Sequence, residues 1–170
     1  MSLSWKWEAI AATVVVVPLL VSVAFMVTSV TSRRPKTLGV CDERLAPCPD
    51  SPNCVSTQAD RDHQRMDAIP LMIEPADAMA ALKRVVSAMP RAEIISTDEN
   101  YLHAEFTSAM FRFVDDVEFC LDHQQRTIHF RSASRTGHSD FGVNRKRMQA
   151  IVAAFQRETN RHDGSPKIER

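Results

Sequence analysis

The chain has 170 residues, with 21 Lys+Arg against 21 Asp+Glu, so its formal charge is zero. That balance excludes a general nucleic-acid binder, which carries a basic excess, and an acidic disordered tail. Four cysteines are too few for a disulfide scaffold but enough for a local staple.

The first predicted element is apolar. Ala9 to Ser32 is a run of 24 residues without a charged side chain. A transmembrane helix needs roughly 20 such residues, so 1–34 reads as an N-terminal transmembrane anchor. Trp5 and Trp7 precede the run, where aromatic rings favour the membrane interface, and Arg33, Arg34 and Lys36 follow it. A cleaved signal peptide has a shorter apolar core. Leu38-Gly39-Val40-Cys41 departs from a lipoprotein box, because Val40 is not small. An uncleaved single-pass anchor fits better. The positive-inside rule alone places the rest of the chain in the cytoplasm, since Arg33, Arg34, Lys36 and Arg44 outnumber Lys6. The cysteines argue for export.

Residues 35–66 read as a Pro/Cys-containing linker. Pro47, Pro49, Pro52 and Asn53 forbid helix and favour tight turns. A turn between Cys48 and Cys54 brings their α-carbons within the roughly 4.4–6.8 Å that a disulfide requires. In an oxidising compartment the pair reads as a disulfide. The rivals are zinc ligation together with His63, at a spacing that matches no common zinc module, and two unpaired thiols. Cys41 and Cys120 have no obvious local partners, and a bridge between them is left open. No cofactor or metal is expected.

Residues 67–160 form the folded body. Ile69 to Ile73 is a short edge strand bounded by Pro70 and Pro75. Pro75 opens a helix whose apolar face is Ala78, Met79, Leu82, Val85, Val86 and Met89, and Pro90 stops it. Strands follow. Ala92 to Thr97 is one. Tyr101 to Phe106 alternates, with Leu102, Ala104 and Phe106 on one face and Tyr101, His103 and Glu105 on the other. Phe111, Phe113, Val117, Phe119 and Leu121 share a face of a longer strand, opposite Arg112, Asp116, Glu118 and Cys120. Asp115 breaks that pattern, which signals a bulge or a partnered buried acid. Asp122 to Gln125 is a hairpin turn, and Thr127 to Ser134 returns with Ile128 and Phe130 inward. This parity sets Asp116 and Glu118 near Arg131 and His129. A final helix runs from about Val143 to Thr159 on Met148, Ile151, Val152 and Phe155, and 161–170 is a frayed tail. The fold class is α+β: one small domain with an antiparallel sheet of about four to five strands and two helices packed on one face. The other sheet face is polar, either solvated or meeting a partner.

The stretch from Arg131 to Arg147 carries the chemistry. Ser134, Ser139, Asp140 and Asn144 can cap the following helix, while Arg131, Arg135, Arg145 and Arg147 cluster at its start. Arginines beside a helix N-terminus suit phosphate or carboxylate. The competing reading pairs them with Asp115, Asp116 and Glu118 in internal ion pairs. No Ser-His-Asp triad is present: Ser139-Asp140 lacks a nucleophile elbow. His103, His129 and His138 read as solvent-facing single histidines.

Four stretches resemble a known family: Pro47 to Ser56, Tyr101 to Glu105, Val114 to Glu118, and Arg131 to Arg147. The family is the domain of unknown function 1499, found in bacteria and plastids, and the resemblance covers about residues 45 to 158. Departures are Thr57, where a second Ser is common, and Thr136 and Phe141 at variable hydrophobic positions. The resemblance implies membrane-anchored or exported domains of the cell envelope or thylakoid lumen. It implies no established activity, so no catalytic residue is carried over.

The expectation is a bacterial inner-membrane protein with a periplasmic C-terminal domain. That domain is a noncatalytic binding or scaffold module, using its polar sheet face and Arg-rich loop toward an envelope protein or anionic ligand. The alternative is an enzyme on an anionic envelope substrate, with Asp115 or Asp116 as acid/base and Arg131 and Arg135 holding the anion. A concave pocket lined by these residues favours the enzyme; a closed ion-pair network favours a scaffold.

Overall fold

The computed structural model describes residues 4–30, 32–41 and 44–163, with side chains described for residues 10, 12–23, 27, 32–40 and 44–160. The elements in order are α1 (Ser4–Val30), β1 (Val40–Cys41), β2 (Arg44–Leu45), β3 (Cys54–Ser56), β4 (Ile69–Pro70), α2 (Pro75–Ser87), β5 (Ala92–Thr97), β6 (Tyr101–Thr107), β7 (Val114–Asp122), β8 (Thr127–Ser134) and α3 (Val143–Asp163). The architecture is α+β, as expected.

The main sheet is antiparallel and six-stranded, ordered β3-β8-β7-β6-β5, with β4 also pairing with β8. It exceeds the expected four to five strands because β3 comes from the stretch read as a linker. Cys54, Val55 and Ser56 pair with Ala133, Ser132 and Arg131. Three residues are too few to show alternation, so the strand left no sequence signal. The Cys48–Cys54 disulfide is present, with α-carbons 5.7 Å apart, and it closes the turn that delivers β3 to the sheet. The side chain of Cys41 lies outside the described residues, and Cys120 is buried.

Strand parity sorts the sheet into two faces. Leu102, Ala104, Phe106, Val117, Phe119, Leu121, Ile128 and Phe130 point to the helical side and form the core with α2 and α3. Phe119 and Phe130 are directly paired, with ring centroids 6.4 Å apart. Such a pair adds about 0.5–1.5 kcal/mol beyond its area burial. Pro75 starts α2 after the extended Glu74, and the helix buries Ala78, Met79, Ala81, Leu82, Val85 and Val86. Its last turn is tied to α3 by Arg84 Nε donating to Glu158 at 2.9 Å. Met148, Ile151 and Phe155 bury the facing stripe of α3, which runs four residues beyond the expected Thr159.

One local expectation is corrected, and one pair of alternatives is resolved. Strand β7 begins at Val114, so Phe111, Phe113 and Arg112 lie in the preceding turn, where Arg112 has φ +56°. The pairing through Asp115 is regular on both sides, so its break in the apolar pattern is a partnered acid and not a bulge. The register irregularity sits in β5, between Ile94 and Ser96.

Helix α1 contains the uncharged run as far as Val30, and its described apolar side chains are exposed, Val14 and Val15 by about two-thirds. Among the described residues no helix is long and apolar enough to cross a membrane. The fold therefore does not show the expected transmembrane helix.

Candidate functional site

The expected site residues divide between the two faces of the sheet. Odd-numbered Asp115 on β7 points toward the helices, with Ser132 and Ser134 of β8. Even-numbered Asp116 and Glu118 point the other way, with Arg131 of β8 and Arg135 just beyond it. One pocket cannot gather them all.

On the helical side the centre is Asn144, fully buried in the first turn of α3. Its Oδ1 accepts from Ser132 Oγ at 2.5 Å and from Arg147 Nη1 at 2.6 Å. Its Nδ2 donates to the Asn53 carbonyl and to Ser134 Oγ, both at 3.0 Å. Asn53 in turn donates from Nδ2 to the Gly137 carbonyl at 2.6 Å. The Pro/Cys turn and the Arg-rich loop, which read as separate motifs, are thus one lock. Arg147 completes it, donating to Asp115 at 2.5 Å and stacking 4.8 Å above the Phe106 ring.

The helix start is already capped. Asp140 accepts from the backbone N–H groups of Gly142 at 3.0 Å and Asn144 at 2.8 Å, and Ser139 Oγ accepts from Phe141 N–H at 3.3 Å. A carboxylate in this position satisfies the helix dipole that an external anion would otherwise meet. Arg145 reaches back to the carbonyls of His63 and Arg65, at 2.8 and 3.1 Å.

The opposite face is polar but not solvated. His103, Asp116, Glu118, Cys120, Arg131 and Ala133 are all buried there. Residues 34–41, with 44 and 45, lie across them as a strap. Arg34 donates to Glu105 at 2.8 and 2.6 Å, the Gly39 N–H donates to Glu118 at 2.8 Å, and the two-stranded ribbon of β1 and β2 follows. Leu45 is buried, its N–H donating to Gln58 Oε1 at 2.9 Å.

Beneath the strap lie two linked clusters. In the first, Arg135 donates bidentately to Asp116 at 2.8 and 2.6 Å and also to Glu105, while His103 Nε2 meets Asp116 at 2.8 Å. In the second, Glu118 accepts from Tyr101 Oη at 2.7 Å and from Arg131 Nη1 at 3.2 Å. Arg131 Nε is buried without a hydrogen-bond partner among the described residues. Strand pairing sets Glu118 opposite Arg131 as expected, but His129 faces Cys120 and Asp116 takes Arg135 and His103. His103 is thus a buried member of the network, not a solvent-facing histidine.

Protonation follows from these contacts. Burial alone would raise Asp116 and Glu105, but Arg135 and their further partners, His103 and Arg34 respectively, outweigh it and hold both carboxyls below their ordinary values. Hydrogen bonding to Asp116, more than burial opposes it, keeps Arg135 charged. Burial pushes the Tyr101 phenol up, and its bond to Glu118 pushes it further, so it donates. His103, Glu105 and Asp116 offer ligand atoms all within 4.8 Å of one another, a donor set that a divalent cation could use. Arg135 and Arg34 already supply the positive charge between those carboxylates.

A pH dependence follows. A carboxyl depressed in the folded state contributes stability that is present above its unfolded pKa and is lost as pH falls through its folded pKa. Unfolding free energy measured by denaturant should be level from about pH 7 down to about 5 and fall steeply below about 4. A flat profile across that lower range would contradict the network.

The sequence did not single out Tyr101, His103, Glu105, Arg34, Gly39, Asn53 or Ser132 as site residues. The family model described as Protein of unknown function (DUF1499) matches residues 44–155. The chain belongs to this family. The DUF1499 region begins at β2 and ends within α3, so it includes the interlocked turn and loop and most of the buried polar face. The strap residues 34–41 lie ahead of it. No curated protein matches the DUF1499 chain.

Proposed function

We propose that this protein is a single-pass inner-membrane protein whose α+β domain lies on the periplasmic side and works there as a noncatalytic binding or scaffold module. The observation that carries the noncatalytic reading is the closure of the ion-pair network. Asp115, Asp116, Glu118, Arg131, Arg135 and Arg147 each have an internal ionic partner, and Arg145 is engaged by backbone carbonyls. An acid/base needs a proton affinity near the working pH and access to substrate. Asp116 is 1% exposed and is held ionised. The larger described depressions, of about 610 and 520 Å³, are not lined by Asp115, Asp116, Glu118, Arg131 or Arg135. With the polar face strapped and the loop arginines engaged, docking falls to other surfaces.

Two features support the membrane and the compartment. The uncharged run in α1 has apolar side chains exposed in every direction, which water disfavours and lipid does not. The Cys48–Cys54 disulfide suits an oxidising compartment. Alkaline phosphatase and a cytoplasm-active fluorescent reporter, each fused after Arg170, test the topology. Phosphatase activity with a dark fluorescent fusion is the expected result. The reverse pattern would place the domain in the cytoplasm and sink the proposal.

A further inference from the structure

We infer that the loop tips at Met110 and Phe141 form a bilayer-facing surface that engages anionic lipid headgroups. The inference rests on the anchor reading above. Its geometric basis is the direction of the strap. Arg34 is fixed at Glu105, near the end of β6, whereas Gly39 is fixed at Glu118, opposite His103. The chain therefore enters at the sheet end formed by Thr107, Val114 and Ser134 and runs away from it. Arg34 is four residues after Val30, the end of α1, which limits the distance between them to about 14 Å. That same sheet end carries the loops 108–113 and 135–142.

Both loops present apolar side chains to solvent at this end. Phe141 is 91% exposed and Met110 74%, and Val143, first in α3, is 48% exposed. Phe141 also has φ +53°. A bulky side chain in the left-handed region is strained, and an aromatic that packs against nothing gains no core energy in return. Glycine would fit this position better for stability alone.

The surrounding charge matches an anionic surface. Arg91, Arg112 and Lys146 are exposed at this end. A depression of about 520 Å³ lies between the first of these loops and the start of α3, lined by Arg91, Ser108, Ala109, Val143 and Lys146 among others. Glu93, on the edge strand opposite Glu105, is the exposed acid at this end. Apolar tips ringed by cations are the pattern of interfacial membrane contact.

Hydrogen exchange of the full chain tests this in nanodiscs of phosphatidylcholine alone and of an equal mixture with phosphatidylglycerol, with detergent micelles as reference. Segments 108–113 and 136–142 should exchange severalfold more slowly in the anionic discs than in micelles, with a smaller effect in neutral discs. The hairpin turn 123–126, at the opposite sheet end, should not change. A Met110→Ser, Phe141→Gly variant should lose the protection while its thermal midpoint holds or rises. Equal exchange in all three media, or protection of 123–126 instead, would overturn the inference. Protection seen only in native membrane vesicles would assign the surface to a membrane protein and overturn it too. Carbonate extraction separates the two readings. A chain released by carbonate has no anchor, and the loop surface then stands or falls on cosedimentation with anionic vesicles and its loss in the variant.

Discussion

Arg135→Ala should lower the unfolding free energy by about 3–5 kcal/mol, because it leaves buried carboxylates without their counter-charge. The guanidinium is the sole arginine bonded to Asp116 among the described residues, and it shares Glu105 with Arg34. Asp116 is 1% exposed and cannot recover its hydration without opening the strap. Truncation is therefore worse than loss of a surface pair, which costs about 0–1 kcal/mol. Denaturant unfolding at neutral pH is the measurement. Arg135→Lys should fall between the two, since an ammonium keeps the charge but not the two-pronged contact. Arg145→Ala is the control, because Arg145 bonds exposed backbone carbonyls and no acid. A loss below about 1 kcal/mol for Arg135→Ala would mean the network is not what holds this face together.

Asn144→Leu should cost about 3 kcal/mol, on a different mechanism. The side chains match roughly in size, so the loss is polar rather than steric. Leucine would take away the acceptor of the buried Ser132 hydroxyl and the donor to Ser134 Oγ, while the Asn53 carbonyl keeps the Ser134 N–H and Arg147 Nη1 keeps Ser132 Oγ. Each buried group left unpaired costs about 1–3 kcal/mol, and partial relaxation offsets some of the sum. Asn144→Ala combined with Ser132→Ala should be less damaging than the two single losses added, since they share one hydrogen bond. Strict additivity in that cycle would contradict a direct Asn144–Ser132 contact.

The sheet was legible where strands are long. Seven to nine residues of alternation in β6, β7 and β8 fix both faces, because a one-residue slip would bury the wrong set. Pro75 and Pro90 bracket α2 for the same local reason. Asp115 was legible as an anomaly, and Arg147 explains it. What stayed hidden is long-range. The strap contacts Arg34–Glu105 and Gly39–Glu118 span 71 and 79 residues, and no periodicity records such a distance. Without the strap, a face carrying His103, Asp116, Glu118 and Arg131 looks solvated. The arginine loop was ambiguous because capping residues and anion-binding residues are the same types. In the structure Asp140 takes the cap position.

The interlocked turn has a consequence for the order in which the chain acquires its shape. Strand β3 needs residues 131–133 as its neighbour, and the Asn53 carbonyl needs Asn144, which follows it by 91 residues. Chain emerging N-terminus first holds β3 without a partner until nearly the whole domain has appeared. Contacts this distant in sequence form late, since loop closure must precede them. The disulfide is not bound by that delay: six residues separate Cys48 and Cys54 in numbering, and a local turn suffices to join them. The turn can thus be shaped and oxidised while the sheet is still open, so that β8 on arrival meets a preset edge instead of a loose strand.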